Sequence, residues 1–172
     1  PDLRKVRFVD HLEPMVLLSI NTGIRRGELY KLTWENVDLT GRSITIVADT
    51  AKTGQTRHVP LNDEILEILK AWQKQKGNKT DLVFPSKDGK PFSDIKRARK
   101  ALLDLAKIKN FRWHDMRHHF ASVLVMSDID LNTVRELLGH SDLKMTLRYA
   151  HLAPEHKAQA VNALNNWAKQ AT

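Results

Sequence analysis

Four arginines, a lysine, two histidines and a tyrosine fall in five short stretches of this chain. They are Thr22-Gly23-Ile24-Arg25-Arg26-Gly27-Glu28-Leu29, Lys52-Thr53-Gly54, His114-Asp115-Met116-Arg117, Leu138-Gly139-His140-Ser141 and Arg148-Tyr149. The stretches fall where elements are expected to end or turn, not along smooth solvent faces. Their inventory matches what transesterification at a phosphate diester demands without a metal. The pentacoordinate transition state gains negative charge on its non-bridging oxygens, and two guanidinium forks bind such oxygens bidentately while staying charged at any working pH. A nucleophile attacks phosphorus, and a general acid protonates the departing sugar oxygen.

Spacing narrows the roles. Glu28 lies three residues after Arg25, which favours a carboxylate-braced Arg25 over Arg26, leaving Arg26 exposed or facing an anionic partner. His114 and Arg117 are three apart, on one face of a helix. His114 either bonds a phosphate oxygen, assists the tyrosine proton or only caps its helix. Lys52, on a turn, suits a general acid that must reach a leaving oxygen. His140 and Tyr149 bracket a short helix across about 14 Å, with His140 just before its N-terminus, where anions are favoured. The other tyrosine, Tyr30, sits inside a short helix without such a context. His114 and His118 are four apart, a spacing that also suits metal ligands, but Asp115 stands where an H-E-x-x-H helix carries its glutamate. His118 and His119 are therefore read as structural or partner-facing, and neither a metal nor a cofactor is expected.

Several elements must position these groups. A helix is expected from Pro14 to Gly23, and a short one from about Arg26 to Leu32. Arg42 to Val47 alternates and is β-branched, Arg57 to Pro60 reads as its partner, and the turn between them puts Lys52 at the tip or edge of a hairpin. Asn62 is the expected N-cap of a helix with Ile65, Leu66, Ile68, Leu69 and Trp72 inward, stopped by Gly77. A short strand is expected over Leu82 to Phe84. Four more helices follow. One runs from Asp94 to Lys107 with Ala98, Ala101, Leu102 and Leu105 inward, and one from His114 to Met126 burying Phe120, Val123 and Leu124. The next is capped by Asp130, with Leu131, Val134, Leu137 and Leu138 inward and Gly139 as its stop. The fourth is capped by Ser141 and runs from Asp142 to about Tyr149. A final helix from about Pro154 carries Ala158, Val161, Leu164 and Trp167, packing either on its own chain or on a neighbour. The expected fold class is mainly α with a small antiparallel β-sheet, in one domain.

Composition bounds the rest. The 172 residues are 41% apolar, enough for a core, and 28% charged. Net charge is +8, with an isoelectric point near 9.8, which favours a polyanionic partner. The excess is local: between Lys96 and Arg117, eight Lys or Arg face only Asp104 and Asp115. The absence of cysteine excludes disulfides and thiolate metal sites. It is compatible with the reducing cytoplasm, where the chain is expected. No stretch resembles a transmembrane helix, Pro1-Asp2-Leu3-Arg4-Lys5 is unlike a signal peptide, and the missing initiator Met suggests a fragment.

Taken together and in order, the five stretches resemble the boxes of the tyrosine recombinases, or phage-integrase family, from about Pro14 to the end of the chain. The resemblance implies a catalytic domain acting on double-stranded DNA. Arg25 would be the first catalytic arginine, braced by Glu28, and Lys52 the catalytic lysine. His114 and Arg117 would form the H-x-x-R box, with Asp115 as structural support, and His140 the L-G-H box. Tyr149, nine residues on, would be the nucleophile of a 3′-phosphotyrosine intermediate. It further implies a tetramer on paired sites in the full-length protein, an N-terminal DNA-binding arm outside this chain, and action at the nucleoid of a bacterial or phage-infected host. A nicking-closing enzyme of type IB topoisomerase character, a non-catalytic DNA-binding module of the same fold and a metal-dependent nuclease are the rival readings.

Overall fold

The computed structural model describes residues 7–47, 54, 56–76 and 80–153. Helix α1 (Leu12–Thr22) and the short α2 (Arg26–Tyr30) are followed by an antiparallel sheet of three strands in sequential order. These are β1 (Val37–Asp38), β2 (Ser43–Ile46) and β3 (Arg57–Pro60). Five helices complete the described part: α3 (Asp63–Lys76), α4 (Lys96–Leu105), α5 (Asp115–Met126), α6 (Leu131–Leu138) and α7 (Lys144–Leu147). The class is mainly α with a small antiparallel sheet, as the sequence predicts.

The sheet register explains its inner face. Val37 pairs with Ile44 and Ile44 with Val59, so three β-branched side chains line one side of the pleat, all buried. Against them packs the main core, with Met15 and Leu18 from α1, Leu29 from α2 and Ile65, Leu69 and Trp72 from α3. The indole of Trp72 is fully buried, and its N–H donates to the Val83 carbonyl at 2.7 Å, so the one polar atom of the ring is satisfied. A second, smaller core joins Ala121 and Val125 of α5 to Val134 and Leu138 of α6 and to Tyr149. Helix α1 packs on both α3 and α5, and α6 packs on β3, α5 and α7.

Local signals set the helix ends. Asn62 Oδ1 accepts from the Ile65 N–H at 3.0 Å, and Asp130 Oδ1 accepts from Asn132 and Thr133. Gly23 and Gly139, both left-handed at φ 61°, close α1 and α6.

Four expectations need correction. Leu82–Phe84 forms no strand; only a single bridge links Leu82 to Thr33. Helix α4 is rotated from its expected face: Ile95 is buried, Ala98 and Leu103 are half-buried, and Ala101, Leu102 and Leu105 are exposed, Leu105 at 84%. On α5, Val123 is 45% exposed because the buried face carries Met116, Arg117, Ala121 and Val125, while Phe120 and Leu124 are half-buried. Ser141 caps nothing, since Asp142 Oδ1 accepts from the Lys144 N–H instead, and α7 covers only one turn. Gly77, Lys52 and the expected final helix lie outside the described residues.

Candidate active site

The site forms where α1 gives way to α2. After Gly23 the chain extends, and Arg25 takes φ −71° and ψ 146° before α2 begins. This puts Glu28, in the first turn, beneath the arginine. Arg25 donates from its backbone N–H to Glu28 Oε2 and from Nη1 to Oε1, both at 2.9 Å, and from Nη2 to the Gly139 carbonyl at 2.8 Å. Glu28 also receives a second fork, from Arg57 of β3: Nη1 to Oε1 at 3.0 Å and Nη2 to Oε2 at 2.7 Å. One buried carboxylate thus serves two guanidiniums. Burial alone would raise its carboxyl, but the bonds and charges of Arg57 and Arg25 outweigh that and hold it below the ordinary glutamate range.

Arg117 enters from α5 and is 3% exposed. Its Nη1 donates to the Gly23 carbonyl at 2.7 Å and its Nη2 to the Leu138 carbonyl. The two candidate clamp arginines are therefore each bound to a carbonyl at or beside a left-handed glycine turn. Neither glycine accepts a side chain: a Cβ at Gly23 would lie 2.6 Å from Phe120 Cδ1, and one at Gly139 2.7 Å from Arg57 Cδ. Burial, and then the like charges of Arg25 and Arg57, lower Arg117 to about 9, which leaves it cationic at neutral pH. The same causes act on His140. Burial first, then Arg117, Arg25 and Arg57, bring it down to about 4, so its imidazole is neutral. His140 Nδ1 lies 2.8 Å from Thr146 Oγ1, a fully buried hydroxyl of α7 that fixes the ring.

Tyr149 follows α7. Its ring packs in the second core and is 7% exposed, while its hydroxyl oxygen lies 2.6 Å from Nδ1 of His118 on α5. Burial raises the phenol above its ordinary value, against a smaller opposite pull from Arg148 and Arg117. His114, at the N-cap of α5, is exposed and stands edge-on to His118 with ring centres 4.8 Å apart. Asp115 binds Arg112: Oδ2 accepts from its backbone N–H at 2.7 Å and Oδ1 from its guanidinium.

These groups open on one cleft of about 1110 Å³. Among the described residues, its walls carry Arg25, Arg26, Arg99, Arg112, Arg117, Lys144 and Arg148 against a single carboxylate, Glu28, which is already neutralised. A cleft of that sign and size attracts and holds an anion. Of the sequence-expected residues, Arg25, Glu28, His114, Arg117, His140 and Tyr149 line it together; Asp115 acts at one remove, through Arg112. Among the described residues, no third His, Asp or Glu joins His114 and His118 into a metal-binding group, and no helix is long and apolar enough to cross a membrane.

Sequence reasoning missed two groups. Arg57 shares the inward face of β3 with Val59, and a cation at an inward strand position signals a buried carboxylate partner. His118 gave only its spacing from His114, because its partner Tyr149 is 31 residues away.

The chain matches the phage integrase family over residues 10–156. It is 32% identical to the integrase of Salmonella phage P22, over 90% of this chain and 43% of that protein. It is 34% identical to the tyrosine recombinase XerC of Xanthomonas campestris pv. campestris, over 89% of this chain and 48% of that protein. The chain thus spans about half the length of the curated relatives it matches. Among solved structures, the catalytic domain of bacteriophage HP1 integrase superposes with a TM-score of 0.65 at 31% identity, covering 87% of this chain and 79% of that one. The Tn1549 transposon integrase, solved in complex with circular intermediate DNA, shares the fold with a TM-score of 0.72 at 22% identity, over 87% of this chain and 58% of that one.

Proposed function

The chain belongs to the phage integrase family, and on that premise we propose that residues 1–172 are the catalytic domain of a site-specific DNA recombinase working through Tyr149. The observation that carries this reading is convergence. Arg25, Arg117, His140 and Tyr149, from widely separated stretches, share one cationic cleft. Arg25 and Arg117 would grip the non-bridging oxygens of the scissile phosphate and neutralise the charge that builds there. Neutral His140 would add a hydrogen bond from its ring N–H, and His114, at the open edge, a further contact. Tyr149 attacks phosphorus, a 5′-hydroxyl departs with a proton from Lys52, and a 3′-phosphotyrosine link remains. A 5′-hydroxyl from a partner strand then attacks that link. The ester keeps the bond energy, so no nucleotide is consumed.

Double-stranded DNA is the proposed partner, supported by the sign of the cleft and by the DNA that accompanies the Tn1549 integrase. A tetramer on paired sites, acting at the nucleoid of a bacterial or phage-infected cytoplasm, completes the proposal for the whole enzyme. The test is a nicked suicide DNA duplex incubated with the protein in EDTA. A covalent protein–DNA adduct is expected, and Tyr149→Phe is expected to abolish it. Cleavage that requires added metal, or an adduct that survives Tyr149→Phe, refutes the reading.

A further inference from the structure

We propose that His118 is a catalytic residue of this chain, the base that takes the phenolic proton as Tyr149 attacks phosphorus. The inference rests on the transesterification proposed above. It stands on the 2.6 Å contact between Tyr149 Oη and His118 Nδ1 at the wall of the cleft. That contact engages the reacting atom itself. His114, at the N-cap of α5, stands edge-on to His118 instead.

The direction of the hydrogen bond follows from the chemistry of the pair. Burial keeps the phenol protonated, and burial together with the Arg148 charge keeps the imidazole neutral. Between a neutral phenol and a neutral imidazole, the phenol is the stronger acid and the imidazole nitrogen the better acceptor. Tyr149 therefore donates, and His118 holds its own proton on Nε2. Among the described residues, the groups facing His118 are His114 at the N-cap of its helix, Asp115 and Arg117 on the helix, Arg112 from the loop before it, and Arg148 from beyond α7. Of these, only Asp115 favours the imidazolium, and its carboxylate is already bound to Arg112.

The Tyr149 oxygen–phosphorus bond forms while the bond from phosphorus to the 5′ oxygen breaks. The phenolic proton passes to His118 Nδ1, and the departing oxygen takes a separate proton from Lys52. In the return step the incoming 5′-hydroxyl gives its proton to Lys52, and the departing Tyr149 oxygen recovers its own from His118. A full proton transfer before attack is uphill. Transfer within the transition state, as the phenol becomes more acidic on bonding to phosphorus, is not.

The experiment measures single-turnover adduct formation on a nicked suicide duplex from pH 5.5 to 9, with oxygen or sulfur bridging at the 5′ position. Sulfur leaves without a proton, so it relieves loss of the acid and not loss of the base. His118→Phe is expected to slow the reaction about 100-fold, with oxygen and sulfur alike, and to remove the fall in rate that the unsubstituted chain is expected to show below the ordinary histidine range. His118→Asn, whose amide oxygen can accept the same hydrogen bond without taking the proton, is expected to retain DNA affinity and melting temperature yet remain slow. Lys52→Ala is expected to recover with sulfur. The inference is overturned if His118→Phe reacts within threefold of the parent, if sulfur restores it, or if His118→Asn is fully active. Failure of the unsubstituted chain to form any Tyr149-dependent adduct overturns instead the reading on which this one rests.

Discussion

Glu28→Gln keeps the shape of a side chain whose charge two arginines share. Arg57 is 9% exposed at its side chain and Glu28 1%, so the change leaves buried cations without their counterion. Breaking such a pair by removing one partner costs about 3–5 kcal/mol, and denaturant unfolding should show a loss of that order. His140 carries a pH signature. Its folded value is near 4, against about 6.5 for an unperturbed histidine. Between those values the unfolded chain binds a proton that the folded chain refuses. Stability is therefore fully present above about pH 6.5 and falls as pH drops toward 4. Urea midpoints taken through that window should decline, and His140→Gln should flatten the decline.

At the scale of elements, the glycine turns are the sharpest points. Gly139→Ala must adopt a left-handed backbone, at about 1–2 kcal/mol, and also push aside the Arg57 side chain. A loss of about 2 kcal/mol or more is expected, along with reduced adduct formation, because Arg25 binds the Gly139 carbonyl. Gly27→Ala meets nothing within 4 Å and should stay within about 0.5 kcal/mol of the parent in the same unfolding assay. The elements also show how far the sequence can be read. Asn62, Asp130, Gly23 and Gly139 act through neighbours two to four residues away, so their capping roles were legible. The same holds for Arg25 with Glu28, three residues on. What escaped depends on distant partners. The apolar pattern of α4 fits several helical phases, and the buried Ile95 at its start selects one. Val123 yields its place on α5 to Arg117, because a charged residue with two carbonyl partners can occupy an inward position that a hydrophobic count assigns elsewhere. The Arg57–Glu28 pair spans 29 residues, and no local pattern measures such a contact.

At the scale of the whole molecule, charge sets how the protein would meet its proposed partner, DNA. Arg26 is exposed on the cleft wall with no sequence-reading role assigned to it. Arg26→Ala should weaken binding about equally on cognate and unrelated duplexes and lower the slope of log affinity against log salt by roughly 1. Titrations at several ionic strengths measure both, and a loss confined to one sequence would show that Arg26 reads bases.

The carbonyl latches on Arg25 and Arg117 have a consequence for safety. Each guanidinium is oriented by backbone from a remote stretch, Gly139 for one and Gly23 with Leu138 for the other. On the proposed function, a nascent or partly melted polypeptide would therefore carry the reacting groups without the arrangement that lets them cut DNA. During synthesis Tyr149 emerges after both arginines, and the proposed centre comes into being only when the tertiary structure closes around it.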